Sequence, residues 1–290
     1  MSRVVTVMNM KGGVGKTTVS AHIGGALAVY RFGSVPRPRK VLLIDYDPQF
    51  NLSQCYIPAK NYFGLEAQRK TVIAVLQDSG VVLDPYKLQL PGSAMPPPLS
   101  SLVHNVGKYR SGSQLDIVPS TLDLMYVALG RTDSQVDVIE ERFAKFIAEA
   151  RRDYDVVLID CHPAGSLMTK TALSNSDHVL IPVAPERYAV RGIGLMLDFI
   201  KSKKHGAVGP TAHILFNRVP RIGHLSEEVA IRTNPRYADL CMDNTLKKYS
   251  AFADPEEGKG FVWYSSKPYS TEASRNLAAV AAEFAQRIGV

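Results

Sequence analysis

Two lysines and three glycines stand close together near the start of the chain, in the segment KGGVGKTT. Phosphate groups need several backbone N–H donors that converge on them, and glycine lets a chain wrap that tightly. A helix after the loop would direct its free N–H groups at the anion. Lys16 would neutralise the β- and γ-phosphates, and the hydroxyl of Thr17 is a suitable ligand for Mg²⁺. We therefore predict a nucleotide-phosphate loop with contacts from Gly12, Gly13, Val14, Gly15, Lys16, Thr17 and Thr18.

The elements on either side of this loop fit the prediction. An apolar, strand-like segment, Val4–Met8, precedes it, and a small-residue helical pattern, Thr17–Tyr30, follows it. The general Walker pattern would place its first glycine at position 10, where this chain has Met10. The loop is therefore a variant, but its position between a strand and a helix favours a phosphate loop over a chance glycine-rich turn.

Acidic residues follow two further strand-like segments. Asp45 and Asp47 come directly after the apolar run VLLI, and Asp160 ends the run VVLID. Open α/β sheets bind ligands at the carboxyl ends of their strands. We therefore expect these carboxylates near the phosphate loop, and Asp160 fits a Walker B aspartate that holds Mg²⁺ through water.

Apolar runs of strand length alternate with helical patterns, which indicates βαβ units. The predicted strands are Val4–Met8, Lys40–Ile44, Leu115–Val118, Val156–Ile159, His178–Val183 and His213–Phe216. The predicted helices are Thr17–Tyr30, Val136–Arg151, Val190–Lys203, Glu227–Leu240 and Ser270–Ile288. We expect an α/β fold with a mostly parallel twisted sheet and helices on both faces, in a single domain over residues 1–290.

Two regions carry more specific expectations. Residues 56–113 have a mixed pattern and are predicted to be a less regular excursion, in which the proline-rich segment Pro91–Ser101 is neither a helix nor a central strand. At the other end, Ser270 or Thr271 is expected to cap the last helix.

Composition narrows the class of protein. The chain has 290 residues, of which 46% are hydrophobic and 21% charged, so it has the balance of an ordinary globular protein. No apolar run reaches the roughly 18 residues that a membrane span needs, and we see no secretory leader. The three cysteines are far apart and lack metal-ligand spacing, which favours a reduced cytoplasm. The net charge of +7 is compatible with nucleic acid or an anionic membrane as a partner.

The segment NMKGGVGKTT resembles the deviant Walker A motif of the ParA/MinD ATPases, which position cargo and partition DNA. Similarity extends over nearly the whole chain except the region 56–113. The resemblance implies a P-loop NTPase fold, Mg²⁺-dependent hydrolysis of ATP and an ATP-dependent homodimer. In that family the first lysine, here Lys11, reaches the nucleotide of the partner. A second cation is useful where negative charge builds up on the transferring phosphoryl group.

Other site residues are assigned through the same resemblance. DYDPQ resembles the second family motif, in which Asp47 orients or activates the attacking water and Asp45 supports the magnesium shell. In ILFNRVPR, Asn217 would read the adenine edge and Arg218 would pack nearby. The family usually has proline or serine near position 162, so His162 is a departure, either a harmless substitution or a modifier of the coupling to dimerisation.

Three functions remain open at this point. The first is a ParA-type partition ATPase that binds non-specific DNA as an ATP dimer and is stimulated by a separate partner protein. The second is a MinD- or flagellar-type regulator at the membrane, although the C-terminal sequence AAVAAEFAQRIGV is a poor anchor. The third is a metabolic relative such as an electron carrier, for which Cys161 lacks a second cysteine beside it.

The net charge favours the first function, so we expect a cytoplasmic protein associated with the nucleoid of a prokaryote. DNA binding through phosphates needs only basic side chains that share a face. The candidate contacts are Lys201, Lys203, Lys204, Arg218, Arg221, Lys247 and Lys248.

Overall fold

The structure is a computed structural model that describes residues 1–30, 39–78, 93, 95–109, 112–127, 133–162, 166–187, 189–202, 209–258 and 260–290. Its strands are β1 Arg3–Val7, β2 Lys40–Tyr46, β3 His104–Lys108, β4 Gln114–Val118, β5 Val156–Cys161, β6 His178–Val183, β7 Thr211–Val219 and β8 Leu246–Lys247. Its α-helices are α1 Lys16–Val29, α2 Asn51–Tyr56, α3 Ala59–Ala67, α4 Ile73–Leu76, α5 Leu99–Leu102, α6 Leu124–Val127, α7 Asp133–Asp153, α8 Leu167–Ser174, α9 Ala189–Ser202, α10 Ser226–Arg232 and α11 Ser270–Ile288.

The strands form one sheet in the order β3-β4-β2-β5-β1-β6-β7-β8. All neighbouring strands are parallel except β3 and β4. β1 therefore lies in the interior of the sheet, between β5 and β6. The phosphate loop follows β1, so it lies near the middle of the carboxyl edge of the sheet. This is the predicted mostly parallel α/β architecture.

The sheet is covered on both faces. Successive side chains of a strand point to opposite faces, and a parallel sheet is buried on both. Leu42 and Ile44 of β2 pack in a cluster with residues of α7, whereas Val41 and Leu43 pack with residues of α1 and α11. The unbroken apolar run of β2 is thus explained by burial on two sides, and the expected helices on both faces are confirmed.

The six predicted strands are present, but two strands were missed. β3 is short, contains a glycine and pairs antiparallel at one edge, and β8 has only two residues at the other edge. Neither segment has the apolar run of an interior strand.

Two predictions about helices were wrong in detail. The helix predicted over Glu227–Leu240 ends at Arg232, because the residue before Pro235 avoids the α region, and only a short 3₁₀ helix, Ala238–Leu240, follows. The cap of α11 is neither Ser270 nor Thr271. Tyr269 occupies that position in the left-handed conformation with φ 62°, and its side chain forms no capping hydrogen bond.

The region 56–113 contains α3, α4, α5 and β3 in its described part, so it is more regular than predicted. Residues 79–92 and 94, which include part of the segment Pro91–Ser101, lie outside the described residues. The last residues of that segment are helical, since α5 begins at Leu99 immediately after the prolines.

The assignment of residues 1–290 to a single domain stays a prediction.

Candidate functional site

The phosphate loop has a backbone shape that requires glycine. Gly13 and Gly15 have φ values of 75° and 82°, in the region that L side chains rarely adopt. Gly15 is the N-cap of α1, and no side chain caps the helix there. A Cβ on Gly15 would lie 2.4 Å from Nδ2 of Asn217, so the residue also permits close packing. The free N–H groups of the first turn of α1 are therefore available to an anion.

Side chains from neighbouring strands hold this loop from behind. Asn217, near the end of β7, donates from Nδ2 to the carbonyl oxygen of Val14 at 2.9 Å. Arg218 donates from Nη1 to the carbonyl oxygen of Gly13 at 2.7 Å. Before the loop, Asn9 donates from Nδ2 to the carbonyl oxygen of Pro182 in β6, the strand next to β1, at 2.8 Å. The loop is thus fixed to β6 and β7 by side-chain hydrogen bonds.

A cavity of about 330 Å³ opens over the loop. Its walls combine the loop, the segment after β2, α2 and the C-terminal part of the chain: Gly13, Gly15, Lys16, Thr17, Thr18, Asp47, Asn51, Gln54, Arg218 and Glu256. The structure therefore brings together the predicted phosphate ligands Lys16 and Thr17 with the predicted water-handling residue Asp47.

Lys11 lies outside this cavity wall, on the exposed part of the loop. Its Nζ atom forms a salt bridge with Oε2 of Glu186 at 2.6 Å, in the segment between β6 and α9. The hydrogen bond from Lys11, and then its charge, lower the pKa of Glu186. Glu186 was not found by sequence reasoning, since nothing in the local pattern of PER indicates a partner for a lysine 175 residues away.

Asp160 lies at the end of β5, next to β1, and is almost completely buried. Its Oδ1 atom accepts a hydrogen bond from the Ser20 hydroxyl at 2.9 Å, whereas its Oδ2 atom is buried and has no hydrogen-bond partner among the described residues. Burial raises the pKa of Asp160 to about 6, although the Thr17 and Ser20 hydroxyls oppose that change. An unpartnered carboxylate oxygen beside the Thr17 hydroxyl fits the oxygen ligands that Mg²⁺ prefers.

Asp45 has a different environment from Asp47. Its carboxylate is fully buried, and Oδ2 accepts hydrogen bonds from the backbone N–H and the hydroxyl of Ser53 at 2.7 and 2.6 Å. Burial and then the charge of Asp160 raise its pKa well above the usual range. Asp45 does not line the cavity, and its role in the magnesium shell stays a prediction.

Asp47 is half-buried, and its Oδ1 atom accepts a hydrogen bond from the backbone N–H of Gln49 at 2.9 Å.

Asn217 and Arg218 were predicted to lie at the adenine. Both line a second cavity of about 400 Å³ beside the first, but their hydrogen bonds to Val14 and Gly13 show that they also hold the loop. Arg218 adopts a positive φ of 59°, a conformation that its sequence context did not indicate. The reading of adenine by Asn217 stays a prediction.

The basic candidates for DNA contact do not all lie together. Arg218, Lys247 and Lys248 line the second cavity, and Nζ of Lys247 donates to the carbonyl oxygen of Arg221 at 3.1 Å. Lys201 is at the end of α9, which leads to the start of β7 and therefore to the opposite edge of the sheet. Lys203 and Lys204 lie outside the described residues.

His162 directly follows β5, and its backbone N–H donates to the carbonyl oxygen of Tyr46 at 3.4 Å. It is thus placed between the ends of β5 and β2, close in sequence to Asp160.

Among the described helices, none is long and apolar enough to cross a membrane.

Comparison with known proteins agrees with this geometry. The model of a family described as AAA domain matches residues 2–207. The chromosome partitioning protein ParA of Caulobacter vibrioides is 28% identical over 281 residues, covering 95% of this chain and 92% of the relative.

Two solved structures share the fold. One is a putative plasmid partition protein from Borrelia burgdorferi bound to AMPPNP, with a TM-score of 0.71, 21% identity and coverage of 99% of this chain and 100% of the other. The other is cobyrinic acid a,c-diamide synthase from Mycobacterium smegmatis with an ATP analogue and magnesium, with a TM-score of 0.63, 24% identity and coverage of 89% and 92%. Since the family match spans more than half of the chain and the loop has the geometry described above, the chain belongs to the AAA-domain family and is a P-loop ATPase of the ParA type.

Proposed function

We propose that the chain binds ATP with Mg²⁺, dimerises in the ATP state and binds non-specific DNA as that dimer. Hydrolysis of ATP releases the dimer from DNA and so drives the partition or positioning of DNA or another cargo. The observation that carries this proposal is the cavity over the phosphate loop, which has Lys16 and Thr17 on one wall and Asp47 on another. A cationic side chain, a hydroxyl and a carboxylate around one phosphate-sized space are the groups needed to bind a nucleotide and direct water at it.

The residues that would hold Mg²⁺ are Thr17, through its hydroxyl, and Asp160, through its unpartnered Oδ2 atom. The ion would supply positive charge to the β- and γ-phosphates. Ser20 fixes the other oxygen of Asp160 and so keeps the carboxylate in one orientation. Asp45, which accepts a hydrogen bond from the Ser53 hydroxyl and lies opposite Asp160 in the neighbouring strand, would support the magnesium shell.

Asp47 is the candidate for orienting or deprotonating the attacking water. Its backbone N–H donates to Oδ1 of Asp45 at 3.3 Å, and its own Oδ1 accepts from the backbone N–H of Gln49 at 2.9 Å, so both the backbone and the carboxylate of Asp47 are held by hydrogen bonds. Because the carboxylate lines the cavity, it can accept a proton from water bound above the phosphate loop.

Dimerisation would use Lys11. In the structure this side chain is half-exposed and bound to Glu186 of its own chain. In the dimer Lys11 would leave Glu186 and meet the γ-phosphate of a second copy, where a cation is most useful. ADP lacks that phosphate, so the ADP state would not support the dimer.

Non-specific DNA, a separate ATPase-stimulating protein and the nucleoid are the proposed partners and place of action. The net charge of +7 supports a DNA contact, since binding to the phosphates of DNA needs basic side chains. The names of the relatives, a chromosome partitioning protein and a putative plasmid partition protein, support partition as the process.

The decisive experiment measures DNA binding of the purified chain without nucleotide, with ADP and with ATP, across a salt series. We expect binding only with ATP, a linear decrease of log affinity with log salt, and little preference for sequence. Anionic vesicles in the same assay are the matched control. Binding to vesicles and not to DNA would replace the DNA-partition proposal with the membrane regulator.

A further inference from the structure

Two cavities adjoin at the phosphate loop, and the same side chains form the border between them. Thr18, Arg218 and Glu256 line both the phosphate cavity of about 330 Å³ and the second cavity of about 400 Å³. A nucleotide that places its phosphates over the loop can therefore extend its nucleoside into the second cavity. The ribose of such a nucleotide would lie at the border.

The second cavity has walls suited to a nucleoside. Phe252 and Tyr249 contribute aromatic surface, and Asn217 contributes an amide. The two rings pack against each other with centroids 5.9 Å apart. The rings are T-shaped to each other and Phe252 is largely buried, so a flat base can bind against the partly exposed ring of Tyr249, which leaves the sugar hydroxyls to the polar residues at the border.

Glu256 is an acceptor at this border. The Thr18 hydroxyl donates to its Oε1 atom at 2.5 Å, which fixes the carboxylate beside the first turn of α1. Its acidic neighbours Asp254 and Glu257 form ion pairs with Lys267 at 2.7 and 2.8 Å. Glu256 forms no such pair with a described residue, so its carboxylate retains acceptor capacity.

We propose that Glu256 accepts hydrogen bonds from the ribose hydroxyls of the bound nucleotide and makes the site select ribonucleotides over deoxyribonucleotides. A carboxylate has only acceptor oxygens when ionised, and the 2′- and 3′-hydroxyls of ribose are donors that match it. This inference rests on the proposed function, because it assumes that a nucleotide is the ligand.

A second role for the same carboxylate is distinguishable by experiment. A negative charge beside Thr18 could instead compete with the nucleotide phosphates for the N-terminus of α1. Removal of a competitor would tighten the binding of every nucleotide equally, whereas removal of a ribose acceptor weakens only nucleotides that carry the hydroxyls.

The test measures the dissociation constants of ADP, 2′-deoxy-ADP and 3′-deoxy-ADP for the full chain and for Glu256→Ala. ADP avoids turnover, and each deoxy compound reports on one hydroxyl. Glu257→Ala is the matched control, since it removes a neighbouring charge that is bound to Lys267. Circular dichroism checks that each variant is folded.

We expect the unmodified chain to bind ADP about tenfold or more tightly than at least one deoxy compound, as a hydrogen bond to a charged acceptor allows. In Glu256→Ala, ADP binding should fall to the level of that compound, whose own binding stays unchanged, and Glu257→Ala should behave as the unmodified chain. Equal changes for all three nucleotides, or no change, would overturn the assignment of Glu256. Failure of the unmodified chain to bind ADP or ATP at all would instead contradict the proposed function.

Discussion

Lys11 and Glu186 form a salt bridge of 2.6 Å that joins the phosphate loop to the segment after β6. The two side chains are 49% and 62% exposed. Ion pairs that are this exposed contribute little to stability, because water screens them and two long side chains must be ordered. The cost of releasing Lys11 is therefore small compared with a contact to a γ-phosphate in a closed interface.

Lys11→Ala is expected to retain some ATP binding but lose ATP-dependent dimerisation and most hydrolysis, because Lys16 is the residue proposed to bind the phosphates of the nucleotide in its own chain. Light scattering with ATP, ADP and no nucleotide measures the dimer, in an Asp47→Ala background that slows turnover. Glu186→Gln is the matched variant, since it frees Lys11 without removing it and should still dimerise. Normal ATP-dependent dimerisation of Lys11→Ala would show that Lys11 is an ordinary loop lysine.

Lys16→Ala and Asp47→Ala should separate binding from turnover. Lys16 lies in the loop, so its removal is expected to abolish nucleotide binding. Asp47 faces the same cavity from the β2 side, so Asp47→Ala should bind ATP, accumulate as a dimer and hydrolyse slowly. Fluorescence titration and phosphate release measure the two properties. Full ATP affinity in Lys16→Ala, or unchanged hydrolysis in Asp47→Ala, contradicts the corresponding role.

Asn217→Ala is expected to weaken ADP binding about tenfold, because it removes the amide that fixes the Val14 carbonyl and the loop loses one anchor. Asn175→Ala is a suitable control, since Asn175 bonds the Thr171 carbonyl at the end of α8. Comparison of ADP with GDP tests the second role of Asn217. A constant ratio of the two affinities indicates anchoring alone, and a lost preference for ADP indicates that Asn217 also reads adenine.

Asp160→Asn should stabilise the nucleotide-free protein while abolishing the effect of Mg²⁺. Burial raises the pKa of Asp160 from 3.8 to about 6, so ionisation of this group near neutral pH costs about 3 kcal/mol in the folded state. An asparagine keeps the shape without the charge, and we expect the free energy of unfolding to rise by about 1 to 3 kcal/mol. Urea unfolding measures this change, and thermal shifts with ADP and Mg²⁺ measure the metal effect. A variant that Mg²⁺ still stabilises would remove Asp160 from the metal site.

His213 should make the fold sensitive to acid. Burial lowers its pKa from 6.5 to about 4, and the charges of His178 and Arg287 act in the same direction, whereas Glu283 opposes them. Because the unfolded chain binds this proton more readily, the stability contributed by neutral His213 is complete above pH 6.5 and decreases as the pH falls to about 4. The loss approaches about 1.4 kcal/mol per pH unit for one proton.

The measurement is urea unfolding of the unmodified chain and of His213→Gln between these two pH values. We expect the variant to lose stability less steeply as the pH falls. The difference between the two proteins is the relevant quantity, because the raised pKa values of Asp45 and Asp160 act in the opposite direction in both. Parallel curves would show that His213 takes up no proton on unfolding.

The sequence by itself determined the elements whose signals are local. The glycines of the loop, the helix after it and the acids at the ends of β2 and β5 follow from short-range rules, because backbone conformation and strand burial depend on neighbouring residues. Parallel pairing then brings Asp45 opposite Asp160 in adjacent strands.

Only the tertiary structure decided which distant side chains meet the loop. Glu186 reaches Lys11 across 175 positions, Asn217 reaches Val14 across 203, and Glu256 reaches Thr18 across 238. No local pattern marks Glu186 or Glu256, and the segment that singled out Asn217 did not indicate its bond to Val14. Each contact depends on the order of strands in the sheet and on where the chain returns to the carboxyl edge. The same reason explains the missed edge strands β3 and β8, which are defined by pairing with a neighbour and not by their own apolar content.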